Sequence, residues 1–254
     1  MKQALLWRGL SFVTAAGFIA LWQLAANLRL VSPVFLPGPD RAWTALLRGF
    51  KSGDLAVKLL GTVEHMAAGW LTASIAGIAL GALIGSSRMM RDYVAPSLEW
   101  LRPLPASAII PVAIALFGLS QGMALFVIAF GAIWPVLLAT VQGFAAIEPR
   151  LVEVARALHM SRLAVIFKIA LPAASPDILS GMGLSLTVAL ILSVVCEILA
   201  GLDGLGHWVL LSARAFRSAD LFAGVILLGV IGYVTTRAMA LVEKRVLRWR
   251  RRGH

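Results

Sequence analysis

The chain has 254 residues, of which 60% are hydrophobic and 14% charged, and it carries a formal net charge of +11. A soluble domain holds roughly 25% charged residues, so a water-soluble fold of this length would lack the polar surface to cover itself. The basic excess does not point to nucleic acid either: most Lys and Arg residues lie in short segments between apolar runs, where they orient a membrane protein.

A helix crossing the hydrocarbon core needs about 20 residues. Lys2 and Arg8 precede the first uncharged run, residues 10–28. That run is longer than the usual apolar region of a signal peptide and ends in no small-x-small cleavage site, so an uncleaved first transmembrane helix is expected. The connection 31–59 opens with Pro33, Pro37, Gly38 and Pro39, which disfavour helix. Residues 40–50 then predict a short amphipathic helix with Asp40 as its N-cap. The second run covers 66–87. Within it Gly69, Ala73, Gly77, Gly81 and Gly85 recur every four residues and form a smooth strip, suited either to close packing within one chain or to a dimer seam.

Residues 103–147 contain no charge, too long a stretch for one span and suited to two, with a turn at Gly118-Leu119-Ser120-Gln121-Gly122. Pro96, Pro103, Pro105 and Pro111 interrupt the third span. Broken helices are tolerated at membrane depth where they line a cavity or pack on protein, so this span is a candidate pathway wall, or else a kink required by packing alone. The fifth run covers 178–196 and continues past Glu197 to Leu202. The sixth, 221–236, reaches spanning length if Arg237 snorkels to the headgroups. The lone Cys196 lies in an apolar run, excludes an intrachain disulfide and reads as a small buried hydrophobe.

With the N-terminus inside, the cytoplasmic segments hold Lys2 and Arg8, Arg88 and Arg91, Arg150, Arg156, Arg162 and Lys168, and a basic tail from Lys244 to Arg252. The outer segments hold half as many cations: Arg29, Arg41, Arg48, Lys51 and Lys58, then Arg214 and Arg217. This asymmetry predicts both termini in the cytoplasm. Charged groups within spans are costly and often functional, which singles out Arg102 and Glu197. Each either lines the pathway, Arg102 by attracting anions, or pairs with a backbone group, a side chain or a lipid phosphate.

The internal connection 144–177 carries the most information. Leu151, Val154, Ala155 and Leu158 share a helical face, Glu153 and Arg156 are neighbours at i, i+3, and a second apolar patch of Leu163, Ile166, Phe167 and Ile169 precedes Pro172, which is expected to stop the helix. An apolar face in the cytosol needs a cover, supplied by a partner or by the chain itself. The segment resembles the cytoplasmic loop of bacterial ABC importer permeases, whose pattern is E-A-A-x3-G-x9-I-x-L-P. Glu153, Ala155, Ile169, Leu171 and Pro172 match in register, Val154 takes the second position, and His159 replaces the glycine. Histidine enters positive φ less easily than glycine. LPGP at 36–39, LRPLPASAIIPVAIALFGLS at 101–120, CEILAGLDGLG at 196–206 and LRW at 247–249 are similar to the nitrate, sulfonate, taurine and bicarbonate permeases, a likeness spanning about 34–250. His65 departs from the arginine usual there.

The resemblance implies an all-α membrane protein with six transmembrane helices in the type I ABC importer permease fold. It implies an N-terminal helix and external segment (1–57), a permease domain (58–242) and a basic cytoplasmic tail (243–254). It further implies a bacterial inner-membrane location, a second permease copy in a homodimer, separate ATP-binding cassette subunits seated on the loop, and an external solute-binding protein, periplasmic or lipid-anchored, that delivers a small oxyanion. Thiamine-type pyrimidines or other small nutrients are the alternative cargo. Arg102, Pro105 and Glu197 are the pathway candidates. The sequence has no phosphate-binding G-x-x-x-x-G-K-[ST] loop, no H-E-x-x-H and no Cys/His cluster, so no catalysis, cofactor or metal is expected of the chain itself. A secondary transporter would show inverted repeats and paired intramembrane acids, and a membrane enzyme would gather His, Asp or Cys at one face. Neither pattern is evident.

Overall fold

The computed structural model describes residues 2–101 and 103–248. These residues form helices joined by short turns: α1 (Lys2–Asn27), α2 (Pro39–Ser52), α3 (Asp54–Gly85), α4 (Arg88–Leu101), α5 (Ala106–Phe117), α6 (Gln121–Ala145), α7 (Pro149–Ala157), α8 (Arg162–Val165), a π-helical stretch Ile166–Ala170, α9 (Leu171–Ala200), α10 (Leu205–Arg214) and α11 (Ser218–Val246). By length and composition α3, α6, the continuous helix Arg162–Ala200 and α11 can cross a membrane, and shorter apolar helices occur at Val13–Asn27 and in α5. The six apolar passes expected from the sequence are all present as helix.

The core is built from α3, α6 and α9. A Cβ added at Gly77 would come within 3.0 Å of the Val136 Cβ, and one at Gly81 or Gly85 within 2.6 Å of the Thr140 or Phe144 Cβ, while Gly69 abuts Ile128. Each pair is 59 positions apart and both members rise together, so α3 and α6 run parallel and in register. The small-residue strip of α3 therefore packs within its own chain, where close backbone approach gives dispersion contacts that lipid cannot match. α9 runs antiparallel on α6 with the same device. Gly143 faces the Ala174 Cβ, Gly181 faces the Ala139 Cβ, and the buried Ser185 hydroxyl donates to the Ala132 carbonyl at 2.6 Å.

Four local expectations need correction. α3 begins at Asp54, inside the expected connection 31–59 and well before the uncharged run that starts at residue 66, because its polar outer turns have partners: Lys58 pairs with Asp203 and His65 with Glu197. Gly38, not Asp40, is the N-cap of α2. Pro39 presets the first helical φ and lacks only an amide that would be orphaned anyway, which leaves Asp40 in the first turn facing the positive end of the dipole. Pro172 does not stop its helix. The preceding Ile166–Ala170 stretch is π-helical, with the Leu171 amide donating to the Ile166 carbonyl, and the widened turn makes room for the proline ring. The carbonyl of Pro172, freed because Pro176 has no N–H, accepts from the Ser175 hydroxyl at 2.8 Å. Finally, Glu197 is not alone as an acid inside a span, since Glu64 lies well within α3.

The turn expected between the third and fourth spans is where the sequence placed it. α5 ends at Gly118, whose φ is 66°, and the Ser120 hydroxyl caps α6 by accepting from the Met123 amide at 3.2 Å. Arg237 is exposed and its guanidinium sits 5.1 Å from the centre of the Tyr233 ring.

Candidate functional site

Two clusters of the sequence-derived residues lie at opposite ends of the α3–α6 pair. At one end α6 leads into α7. Pro149 occupies the first turn of α7, and Glu153, Val154 and Arg156 are exposed, whereas Ala155 is buried. No ion pair joins Glu153 to Arg156. Val154 is 55% exposed and Leu158 68%, and Leu163 and Phe167 continue the apolar surface beyond the helix. Ile169 and Leu171 are half-buried and Pro172 is exposed. The base of the segment is fixed: Phe144, Ala170, Ala174 and Ile178 form a small core, with Ile147, Ile166 and Leu171 packed on it.

His159 adopts the conformation its glycine counterpart would use. Its φ is 50°. The Met160 amide donates to the Ala155 carbonyl and the His159 amide to the Arg156 carbonyl, each at 3.0 Å. That pair of bonds closes the end of α7 in a Schellman arrangement. Histidine is among the residues enriched in this region, so the turn survives the replacement.

At the other end, Glu197 is fully buried near the end of α9. Its carboxylate accepts from the Thr62 hydroxyl at 3.0 Å and from the Gly206 amide at 2.8 Å, and His65 Nδ1 lies 3.1 Å from the second oxygen. The Thr62 hydroxyl oxygen in turn accepts from the Leu205 amide at 2.8 Å. Thr62 and Glu197, from two other helices, thus satisfy the first two amides of α10, which would otherwise be orphaned. Gly204 has no side chain because the Glu197 carboxyl occupies that space. Glu197 accordingly faces protein on every side.

Pro105 is exposed and precedes α5 with φ −65° and ψ 124°, while Arg102 lies outside the described residues. Thr62 and Glu64 escaped the sequence reading. The signal was there: Thr62 and His65 stand three apart on α3 and so share one face. Glu64 and His65 line a cavity of about 180 Å³ with Ala68, Gln121, Gly122 and Leu125. A wider groove of about 390 Å³ lies between α2 and the start of α11, with Arg41, Arg48 and Arg217 on its walls. Among the described residues no group of three or more His, Cys, Asp or Glu side chains could hold a metal ion.

Residues 73–248 match the model of the family described as binding-protein-dependent transport system inner membrane component. A Bacillus subtilis permease provisionally named for aliphatic sulfonates transport, SsuC, is 34% identical, with 92% of this chain and 85% of the relative covered. The bicarbonate transport system permease protein CmpB of Synechococcus elongatus is 30% identical, with 91% and 87% covered. Among solved structures, the inward-facing MetNI methionine ABC transporter superposes with a TM-score of 0.68 at 17% identity, covering 77% of this chain and 97% of that one, which shows a shared fold. A family match of that extent, laid over six apolar helices and a surface loop with no catalytic cluster, places the chain in the binding-protein-dependent inner membrane components, the non-catalytic permease subunits of ABC importers, whose ATPase activity resides in a separate polypeptide.

Proposed function

We propose that this permease imports a small oxyanion, of the kind an aliphatic sulfonate, taurine, nitrate or bicarbonate represents, as one of two identical copies around a shared pathway. Relatives named for sulfonates and for bicarbonate support that cargo class. Both termini lie in the cytoplasm, and residues 144–177 receive the ATPase subunit. An external binding protein delivers the solute to the face formed by residues 31–59 and 202–220. ATP-driven closure of the ATPase pair swings α7 as a rigid lever and switches the pathway between outward and inward access.

One observation carries the coupling role. α7 holds Val154 and Leu158 out to solvent while Ala155 is buried and the base of the segment rests on its own core. The chain therefore leaves this apolar row uncovered, as a surface made for another protein would be. In the double variant Val154→Asp, Leu158→Asp, co-purification of the ATPase subunit and uptake into proteoliposomes are expected to fall together by at least about tenfold, since buried charge at an interface costs more than 1.4 kcal/mol. Undiminished uptake would remove the segment from this role. A cysteine at Arg156 should react with a membrane-impermeant thiol reagent only from the interior; labelling from outside would invert the orientation.

A further inference from the structure

The position of the Glu197 cluster along α3 bears on what it does. Extending the 59-position register of α3 and α6 places Gln121, the first residue of α6, level with Thr62. Beyond that level α3 continues to Asp54 without α6 beside it. The backbone of the 201–204 loop takes over as neighbour: the space a side chain at Gly61 would fill is occupied by the Asp203 carbonyl, and Lys58 pairs with the Asp203 carboxylate. The handover from α6 to this loop coincides with the layer of Thr62, His65 and Glu197.

We propose that Thr62, His65 and Glu197 are positioning residues that lock the 201–204 loop and α10 onto the outer end of α3, so that a load placed on α10 from outside is carried along α3 and its in-register partner α6 to the coupling segment. The inference rests on the reading above, in which a binding protein lands on the outer face and an ATPase on α7. Each link is short and closed. The first amides of α10 end on Thr62 and Glu197. Glycines on α3 leave no slack against α6, because added Cβ atoms at Gly77, Gly81 and Gly85 would meet α6 side chains at 3.0 Å or less. α6 ends at Ala145, and only residues 146–148 separate it from α7. Thr62 and Glu197 are fully buried, and only His65 borders the 180 Å³ cavity, so the network's part is to hold elements together.

The test uses the full importer in proteoliposomes and reads two rates: basal ATP hydrolysis, and its fold-stimulation by solute-loaded binding protein. Thr62→Val deletes the hydroxyl at nearly constant volume. It is expected to leave assembly and basal hydrolysis unchanged and to cut the stimulation about tenfold, within the usual range of coupling between sites. Thr62→Ser, which restores the hydroxyl, should retain the stimulation. A second arm replaces the clasp covalently, by bridging Lys58→Cys and Asp203→Cys with a short bis-methanethiosulfonate. The bridge should leave the stimulation of the otherwise native complex intact and should restore it in Thr62→Val.

Full stimulation in an assembled Thr62→Val complex would overturn the proposal, as would basal and stimulated rates falling in equal proportion. Arrest of the native complex by the bridge would also overturn it, because the junction would then have to open during the cycle; this arm decides the matter if Thr62→Val does not assemble. Absence of any stimulation in the unmodified complex would instead remove the reading of an outer partner, and this inference with it.

Discussion

The two ends of the α3–α6 pair answer the same problem in opposite ways. At the Glu197 end, polar groups are withdrawn from solvent and bonded within the chain: the buried carboxylate itself, the Thr62 hydroxyl, His65 Nδ1 and the Leu205 and Gly206 amides. At the α7 end, apolar side chains such as Val154 and Leu158 stand in solvent with no cover from the chain. Buried polar groups must be satisfied locally, since an orphaned one costs about 1–3 kcal/mol, whereas an exposed apolar row is tolerated until something binds it. The first region is held together within the chain, and the second leaves apolar surface for the partner proposed above. Burial separates the two charged residues of these ends: Glu197 is enclosed by its own chain, and Glu153 is exposed.

The largest effect that would sharpen this contrast is expected from Glu197→Leu. The leucine leaves the Gly206 amide, the Thr62 hydroxyl and His65 without their acceptor, and thermal unfolding in detergent should show a loss of about 3 kcal/mol or more. The exposed end should respond otherwise: the Val154→Asp, Leu158→Asp variant described above should unfold within about 0.5 kcal/mol of the native chain while losing its ATPase partner. Equal destabilisation at the two ends would break the comparison. An intermediate effect is expected from Gly81→Val, where the new side chain meets the Thr140 Cβ and the Leu137 carbonyl oxygen at 2.6 and 2.9 Å. Separating the helices there should cost about 2 kcal/mol, seen as a lower unfolding temperature with the Glu197 cluster intact. The smallest effect is that of His159→Gly. Relief of the left-handed backbone, worth about 1 kcal/mol, is partly offset by the greater freedom of glycine in the unfolded chain, about 0.5 kcal/mol. A slight gain in stability with unchanged uptake would confirm that His159 serves the turn alone.

Much of the fold was legible in the sequence because a bilayer reads composition directly. Uncharged runs of spanning length marked the helices, and Gly118 to Gly122 marked the hairpin between α5 and α6. The exposed apolar face of α7 was legible because its residues lie in one stretch with the E-V-A-R pattern and the Ile169-Ala170-Leu171-Pro172 end. The errors share one physical origin. Charge was read as an end to a span, yet Lys58 and His65 continue α3 for three further turns because Asp203 and Glu197, more than 130 positions away, neutralise or bond them. Pro172 was read as a stop, yet a π-helical turn just before it removes the clash on which that reading depends.

The sequence by itself determined that the chain lives in a membrane and where its apolar passes fall, because those properties follow from hydropathy and charge placement. Only the tertiary structure decided that α3 lies parallel to α6 rather than against the helix that follows it, that its glycine strip is an internal seam, and that Glu197 is buried among Thr62, His65 and the start of α10. Those outcomes depend on which distant surfaces meet, and a strip of small residues or a single intramembrane carboxylate has no chemistry that names its partner until packing brings one within reach.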